Sequence, residues 1–182
     1  MKITNAAIIG CGAIHTCHAE AILQNPASRL LAIAECDADI GLGLAQQYQC
    51  DFYTDYGEML RDPHIDVVHI CLPHHLHQDA ILAALAAGKH VFTEKPVALN
   101  ATEVKAIRQA QSLSGRLLGV CYQNRLNPSS QKIYAMLASG VIGKMLSIKA
   151  VLTWSRGGAY YTDSPWRGRF STAGGSGLFK PA

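Results

Sequence analysis

Along the first two thirds of the chain, short apolar runs alternate with longer amphipathic stretches. That alternation predicts parallel strands wrapped by helices. Strands are expected at Asn5–Ile9, Leu30–Glu35, Phe52–Tyr53, Val67–Cys71, His90–Phe92 and Leu117–Tyr122. Between them, helices are expected at Ile14–Gln24, Ala38–Gln47, Tyr56–Arg61, His77–Ala87 and Ala101–Ser114. Asn100 and Glu103 form a capping pair for the last of these helices, and Gly88 stands where a C-terminal glycine closes the helix before it. Six strands with right-handed crossovers give a doubly wound α/β sheet, complete by about residue 122.

The pattern then changes. A further helix is expected over Pro128–Gly140. After it, Met145–Ser155 alternates, with Leu146, Ile148, Ala150, Leu152 and Trp154 on one face and Ser147, Lys149 and Thr153 on the other. Period-two alternation predicts a half-buried strand. The last stretch is rich in Gly, Ser and Pro and offers no further strand. The expected organisation is a nucleotide-binding domain over residues 1–123 and the start of a second α/β domain, incomplete, over 124–182. A lone apolar-faced strand is unstable in water and its free edges invite another chain, so self-association or disorder is expected there.

Composition narrows the classes. The chain has 182 residues, 49% hydrophobic and 16% charged, with a net charge of +3. That suits a globular protein and gives no argument for nucleic acid or an anionic membrane. Apolar runs stop well short of the roughly 20 residues a spanning helix needs, and the N-terminal run ends in glycines rather than a cleavage site. Six cysteines without CxxC pairing read as reduced thiols in a cytoplasmic protein.

The chemistry begins where the first strand meets Gly10-Cys11-Gly12-Ala13-Ile14-His15 and a helix opens. The first glycine permits the tight turn, and the second lets backbone approach a pyrophosphate, with free N–H groups and partial positive charge at the helix start. This is the Rossmann arrangement, except that His15 holds the third glycine position; its side chain must point away from the first strand, or the helix must sit further out. Glu35 ends the second strand about 20 residues on, where a carboxylate accepts from ribose hydroxyls. Cys36 and Asp37 follow, with no Arg or Lys to meet a 2′-phosphate, so NAD is expected rather than NADP. Methyltransferases that use S-adenosylmethionine share a glycine loop and a strand-two acid, so a discriminating feature must come from downstream.

It comes from Cys71-Leu72-Pro73-His74-His75-Leu76-His77, Glu94-Lys95-Pro96 and Gly119-Val120-Cys121-Tyr122-Gln123-Asn124-Arg125. With the N-terminal GCGAIHTCHAEAI, these resemble the glucose–fructose oxidoreductase / inositol dehydrogenase / MocA family, Glu-Lys-Pro being the most specific element. The resemblance covers nearly the whole chain. It implies a Rossmann domain followed by an α/β domain with a large open sheet. The implied activity is hydride transfer between NAD(P) and the CH–OH carbon of a sugar, polyol or related alcohol. It further implies that Gly10, Gly12, Ala13, Ile14 and His15 lie at the pyrophosphate and Glu35 and Cys36 at the adenosine ribose. Leu72, Pro73, His74 and His77 would line the nicotinamide, and Glu94 its ribose. Lys95 is the implied active-site lysine, also touching cofactor. Gln123, Asn124 and Arg125 would lie near the nicotinamide, and Trp166-Arg167 near cofactor or substrate.

Lysine suits this chemistry: a cation beside the reacting oxygen stabilises developing alkoxide, and a desolvated lysine can relay a proton. Pro96 restricts Lys95 to extended geometry, and a cis bond between them is one expectation. His74, His75 and His77 lack the carboxylate or thiolate partner that would make them a metal cluster, so no metal is expected. His18 reads as a packing residue.

Family members run to well over 300 residues. They place a base histidine, with an aspartate four residues earlier, after a Gly-Gly-Gly segment. Gly174-Gly175-Ser176-Gly177 matches that segment, but no Asp-x-x-x-His follows, and all eight histidines lie at or before position 90. Two readings follow. Either the chain is a shortened form of an NAD-dependent dehydrogenase, inactive by itself, or it is a non-catalytic dinucleotide-binding module that senses cofactor or assists assembly.

Overall fold

The computed structural model describes residues 3–153, 155–164 and 166–174. These form two compact units, one of the described residues within 3–121 and 168–174 and the other of those within 122–167.

The first unit is built on six parallel strands: β1 (Thr4–Ile9), β2 (Ser28–Ala34), β3 (Asp51–Tyr53), β4 (Val67–Ile70), β5 (His90–Glu94) and β6 (Leu118–Cys121). Their order is β3-β2-β1-β4-β5-β6, so the chain winds outward in one direction from β1 and then in the other. The switch between β1 and β4 opens the crevice where such sheets bind ligands. Helices α1 (His15–Gln24), α2 (Ala38–Tyr48), α3 (Tyr56–Met59), α4 (His77–Ala86) and α5 (Ala101–Ser114) supply the crossovers. Every expected strand and helix of this unit is present, with ends shifted by a residue or two in places.

Both faces of the sheet are covered, which explains why β1 reads as an unbroken apolar run. Ala6 and Ile8 join Ala19 and Ile22 of α1 and Ala45 of α2 in one core. Ala7 and Ile9 point the other way, into a core with Ala80, Ile81, Ala84 and Leu85 of α4 and Ile107 of α5. The cap at α5 is as expected: the Asn100 side chain accepts from the Glu103 N–H at 3.0 Å, and the Glu103 carboxylate accepts from the Leu99 N–H at 2.8 Å.

In the second unit, α6 (Pro128–Ala138) ends within the expected range and α7 (Ala159–Thr162) is a single turn. The strand expected at Met145–Ser155 is corrected: its described residues form no strand. Leu146, Ile148, Val151 and Leu152 are 88%, 74%, 79% and 82% exposed. Alternation marks which face a strand would bury, but a strand exists only where a second edge takes up its N–H and C=O groups. Among the described residues none does so. Trp154 lies outside the described residues.

The tail also departs from the expected division. Residues 168–174 belong with the first unit, where α8 (Phe170–Ala173) ends with Ala173 buried. The Ala173 carbonyl faces His74 Nδ1 at 3.2 Å. Gly175-Ser176-Gly177 lies outside the described residues.

Candidate dinucleotide and hydride-transfer site

The loop after β1 is shaped by its glycines. Gly10 has φ +88°, and a Cβ there would stand 2.9 Å from Leu72 Cδ2 and 3.0 Å from the Cys71 carbonyl oxygen, so only glycine fits. Gly12 differs, because a Cβ at that position would meet nothing within 4 Å. Gly12, Ala13 and Ile14 are exposed, and among the described residues their N–H groups have no acceptor. Three open donors in succession at a helix start, with room in front of Gly12, fit a pyrophosphate.

His15 takes the first of the two courses left open for it. Its ring is buried against α2, with Nδ1 2.6 Å from the Gly12 carbonyl and Nε2 3.2 Å from the Tyr48 hydroxyl. It braces the loop from behind and leaves the N–H groups in front uncovered.

Glu35 lies just past β2, and its carboxylate closes the side of the loop. Oε2 accepts from the buried Cys11 N–H at 2.8 Å, while Oε1 accepts from the Cys36 thiol at 3.1 Å and the Asp37 N–H at 3.2 Å. Burial pushes the Glu35 pKa up, but these donors outweigh it and hold the carboxyl below its ordinary value. The same hydrogen bond to Glu35 pushes the Cys36 thiol up. The bond from Cys11 was not legible beforehand, since it joins two loops through a backbone group.

The far side of the crevice carries the other expected residues of this unit. Leu72 and Pro73 are half-buried, and His74 is half-buried with its pKa lowered by burial. His77 is fully buried: Nδ1 lies 2.7 Å from the Pro96 carbonyl and Nε2 2.8 Å from the Leu72 carbonyl. Its ring therefore ties the loop after β4 to the loop after β5. The Lys95–Pro96 bond is cis. Lys95 carries its amine half exposed, with Nζ 4.0 Å from Glu94 Oε2, so any desolvation of that amine must come from a bound ligand.

Glu94 is 7% exposed at the end of β5. It accepts from His18 Nε2 at 3.3 Å and from the Lys95 N–H at 3.2 Å. Burial raises its pKa, but hydrogen bonds from His18 and Cys121, with the charge of Lys95, carry the net shift downward. Behind it, His18 Nδ1 lies 3.0 Å from His69 Nδ1. Neither histidine was expected here. The available signal was a histidine inside the apolar β4 run Val67-Val68-His69-Ile70, and His18 beside the buried Ala19 and Ile22 of α1. His18 Nε2, the Glu94 carboxylate and Cys121 Sγ also lie within 4.8 Å of one another, a set that could hold a metal ion. His74, His75 and His77 do not converge in that way.

His69 makes stability depend on pH. Burial, with the neighbouring His18, pushes its pKa down to about 4 from 6.5. Between these values the unfolded chain takes a proton that the folded chain refuses, so stability falls as pH drops from about 6.5 to about 4. The loss reaches about 3 kcal/mol at the rate of ~1.4 kcal/mol per pKa unit. Urea melts across that range are expected to show it, and a His69→Phe variant to flatten the dependence; an equally steep variant would assign the loss elsewhere.

In the second unit, Gln123, Asn124 and Arg125 occupy an exposed 3-10 turn over Gln123–Leu126. The Arg167 guanidinium lies 4.2 Å from the Tyr160 ring centroid and 5.6 Å from that of Trp166.

Open loop donors, an acid on the neighbouring strand and a crevice at the switch point define a dinucleotide-binding domain of the Rossmann class. The model of the Gfo/Idh/MocA family, an oxidoreductase family with an NAD-binding Rossmann fold, matches residues 4–122, and the chain belongs to that family. An uncharacterized oxidoreductase of Rhizobium meliloti is 34% identical over 158 residues, 84% of this chain and 46% of that protein. Levoglucosan dehydrogenase of Pseudarthrobacter phenanthrenivorans is 30% identical over 189 residues, 98% of this chain and 48% of that protein. The WlbA dehydrogenase of Bordetella pertussis, solved in complex with NADH and UDP-GlcNAcA, superposes with a TM-score of 0.91 at 25% identity, covering 94% of this chain and 50% of that one. The chain thus spans about half the length of these relatives. The expected cofactor, NAD, agrees with the family and with the NADH of that neighbour. Among the described residues no helix is long and apolar enough to cross a membrane.

Proposed function

We propose that this chain supplies the NAD site and the active-site lysine of a dehydrogenase that oxidises a CH–OH group of a sugar, polyol or related alcohol. The observation that carries this reading is the row of open N–H groups at Gly12, Ala13 and Ile14 beside the Glu35 carboxylate. The row and the helix start behind it attract the pyrophosphate, and Glu35 takes the adenosine ribose hydroxyls while repelling a 2′-phosphate. Leu72, Pro73 and His74 line the nicotinamide side, and His77 holds their loop. Bound NAD supplies the hydride acceptor. Lys95 stands at the substrate oxygen, where its ammonium stabilises the charge developing on that oxygen as the hydroxyl proton passes to water. Glu94 anchors that ammonium. The setting is cytoplasmic.

Titration of the purified chain with NAD and NADP by calorimetry tests the reading, with NAD expected to bind more tightly and no heat from either ruling it out. Where turnover of a polyol is measurable, Lys95→Met is expected to lower kcat by about 100-fold or more and to change NAD affinity little. A Lys95→Met protein that turns over normally would remove the lysine from the reaction.

The reading extends to a homo-oligomer formed through the exposed apolar side chains of residues 141–152, among them Val141, Ile148 and Leu152. Sedimentation velocity is expected to show mass rising with concentration; a monomer at every concentration would contradict it.

A further inference from the structure

The structure assigns a positioning role to His18 and His69: with Glu94 they form a one-directional chain of hydrogen bonds that fixes the carboxylate facing Lys95. This rests on the proposal that Lys95 acts at the reacting oxygen.

The proton placement follows from the atoms. His18 and His69 meet through their two Nδ1 atoms at 3.0 Å, so one of these nitrogens carries hydrogen and the other accepts. At its other nitrogen, His18 faces Glu94 Oε1 at 3.3 Å. A carboxylate only accepts, so His18 Nε2 is the donor there. A His18 that holds one hydrogen has a bare Nδ1, and His69 donates to it from its own Nδ1. Each donor points towards Glu94. Burial favours this arrangement, holding His69 neutral with its pKa near 4. The Phe92 ring lies against both histidines, with centroids 5.8 Å from His18 and 5.2 Å from His69.

Other groups around the chain are accounted for. Cys121 on β6 donates to Glu94, and the Lys95 N–H and Nζ face its second oxygen. Cys71, just past β4, feels Glu94, Cys121, Cys11 and Cys17 of α1, and its burial pushes the thiol up, so it stays uncharged. The carboxylate is thus held at both oxygens, and its charge stays beside the Lys95 amine. Deleting the His18 donor would free one oxygen and make protonation of Glu94 easier.

The atoms that could hold a metal make a competing demand. A cation at His18 Nε2, Glu94 and Cys121 needs a bare Nε2 and a thiolate, whereas the hydrogen-bonded chain needs hydrogen on Nε2. The two cannot coexist.

Nitrogen-15 NMR of the full chain labelled at histidine reads the tautomers without any ligand or variant. At neutral pH, His18 is expected as the Nε2–H form and His69 as the Nδ1–H form, both unchanged by equimolar zinc. Carbon-13 titration of the Glu94 carboxyl then reads the consequence. His18→Ala is expected to raise its proton affinity at least tenfold, and His18→Gln, whose amide returns a donor at the Nε2 position, to restore it to within about threefold. A merely space-filling His18 would leave that titration unmoved. The inference is overturned if His18 carries its hydrogen only on Nδ1, if zinc takes Nε2, if His18→Ala titrates like the parent, or if His18→Gln fails to rescue. Loss of NAD binding with the tautomers as assigned would refute the proposed function alone, and wrong tautomers with NAD bound would refute only this chain of hydrogen bonds.

Discussion

Replacing Gly12 by valine is expected to abolish useful NAD binding while leaving the fold intact. A Cβ at Gly12 meets nothing within 4 Å, and its backbone does not lie in the left-handed region. The valine therefore costs the folded chain little, within the about 0.5 kcal/mol usual for exposed sites. Its methyl groups would instead fill the space in front of the open N–H groups, where the pyrophosphate must approach within hydrogen-bonding distance. We expect NAD affinity to fall by about 100-fold or more, equivalent to ~2.7 kcal/mol, with an almost unchanged Tm. Gly10→Ala is the contrast: it combines φ +88° with a Cβ 2.9 Å from Leu72 Cδ2, so Tm should fall along with affinity. Calorimetry and thermal melts on the pair separate the two glycines. Normal NAD binding by Gly12→Val would show that the dinucleotide does not use this loop.

Glu35 is expected to give the second large effect, and its two variants separate its two tasks. Glu35→Ala removes the ribose acceptor and also the acceptor of the buried Cys11 N–H. Lost charged hydrogen bonds amount to about 1.5–3 kcal/mol, so NAD affinity should fall by about 10- to 100-fold and stability should fall with it. Glu35→Gln keeps an oxygen for Cys11 but loses the charge and the acceptor facing the Asp37 N–H, so stability should fall less than in Glu35→Ala while discrimination against NADP weakens. The pH profile follows from the downward shift of the carboxyl. Above its ordinary value the carboxylate is ionised in both folded and unfolded chains, and its stabilisation is present. That stabilisation is lost, and NAD binding with it, as pH falls through the lower folded value. Unchanged NAD and NADP affinities in both variants would remove Glu35 from the site.

Much of this was legible in the sequence because it is local. The first-unit strands announce themselves as short apolar runs, since a parallel sheet covered on both faces needs apolar residues at consecutive positions, as at Ala6–Ile9. The loop at Gly10–Ile14 and the cap at Asn100 are set within a few residues. What escaped depends on distant partners. Residues 145–155 alternate like a strand, but pairing is a property of two segments, and none of the described residues offers the second. His18, His69 and Glu94 come from α1, β4 and β5, and only the crossovers bring them to one point. The same holds for Glu35 and the Cys11 N–H, where the side chain was read correctly as an acid at a strand end but its closure of the loop was not visible.

Amide NMR during titration with NAD tests the central claim most directly. The N–H resonances of Gly12, Ala13 and Ile14, with that of Cys11 beside Glu35, are expected to move first and furthest as the dinucleotide saturates the chain. Saturation that leaves these four amides in place, with shifts gathered elsewhere, would contradict the account.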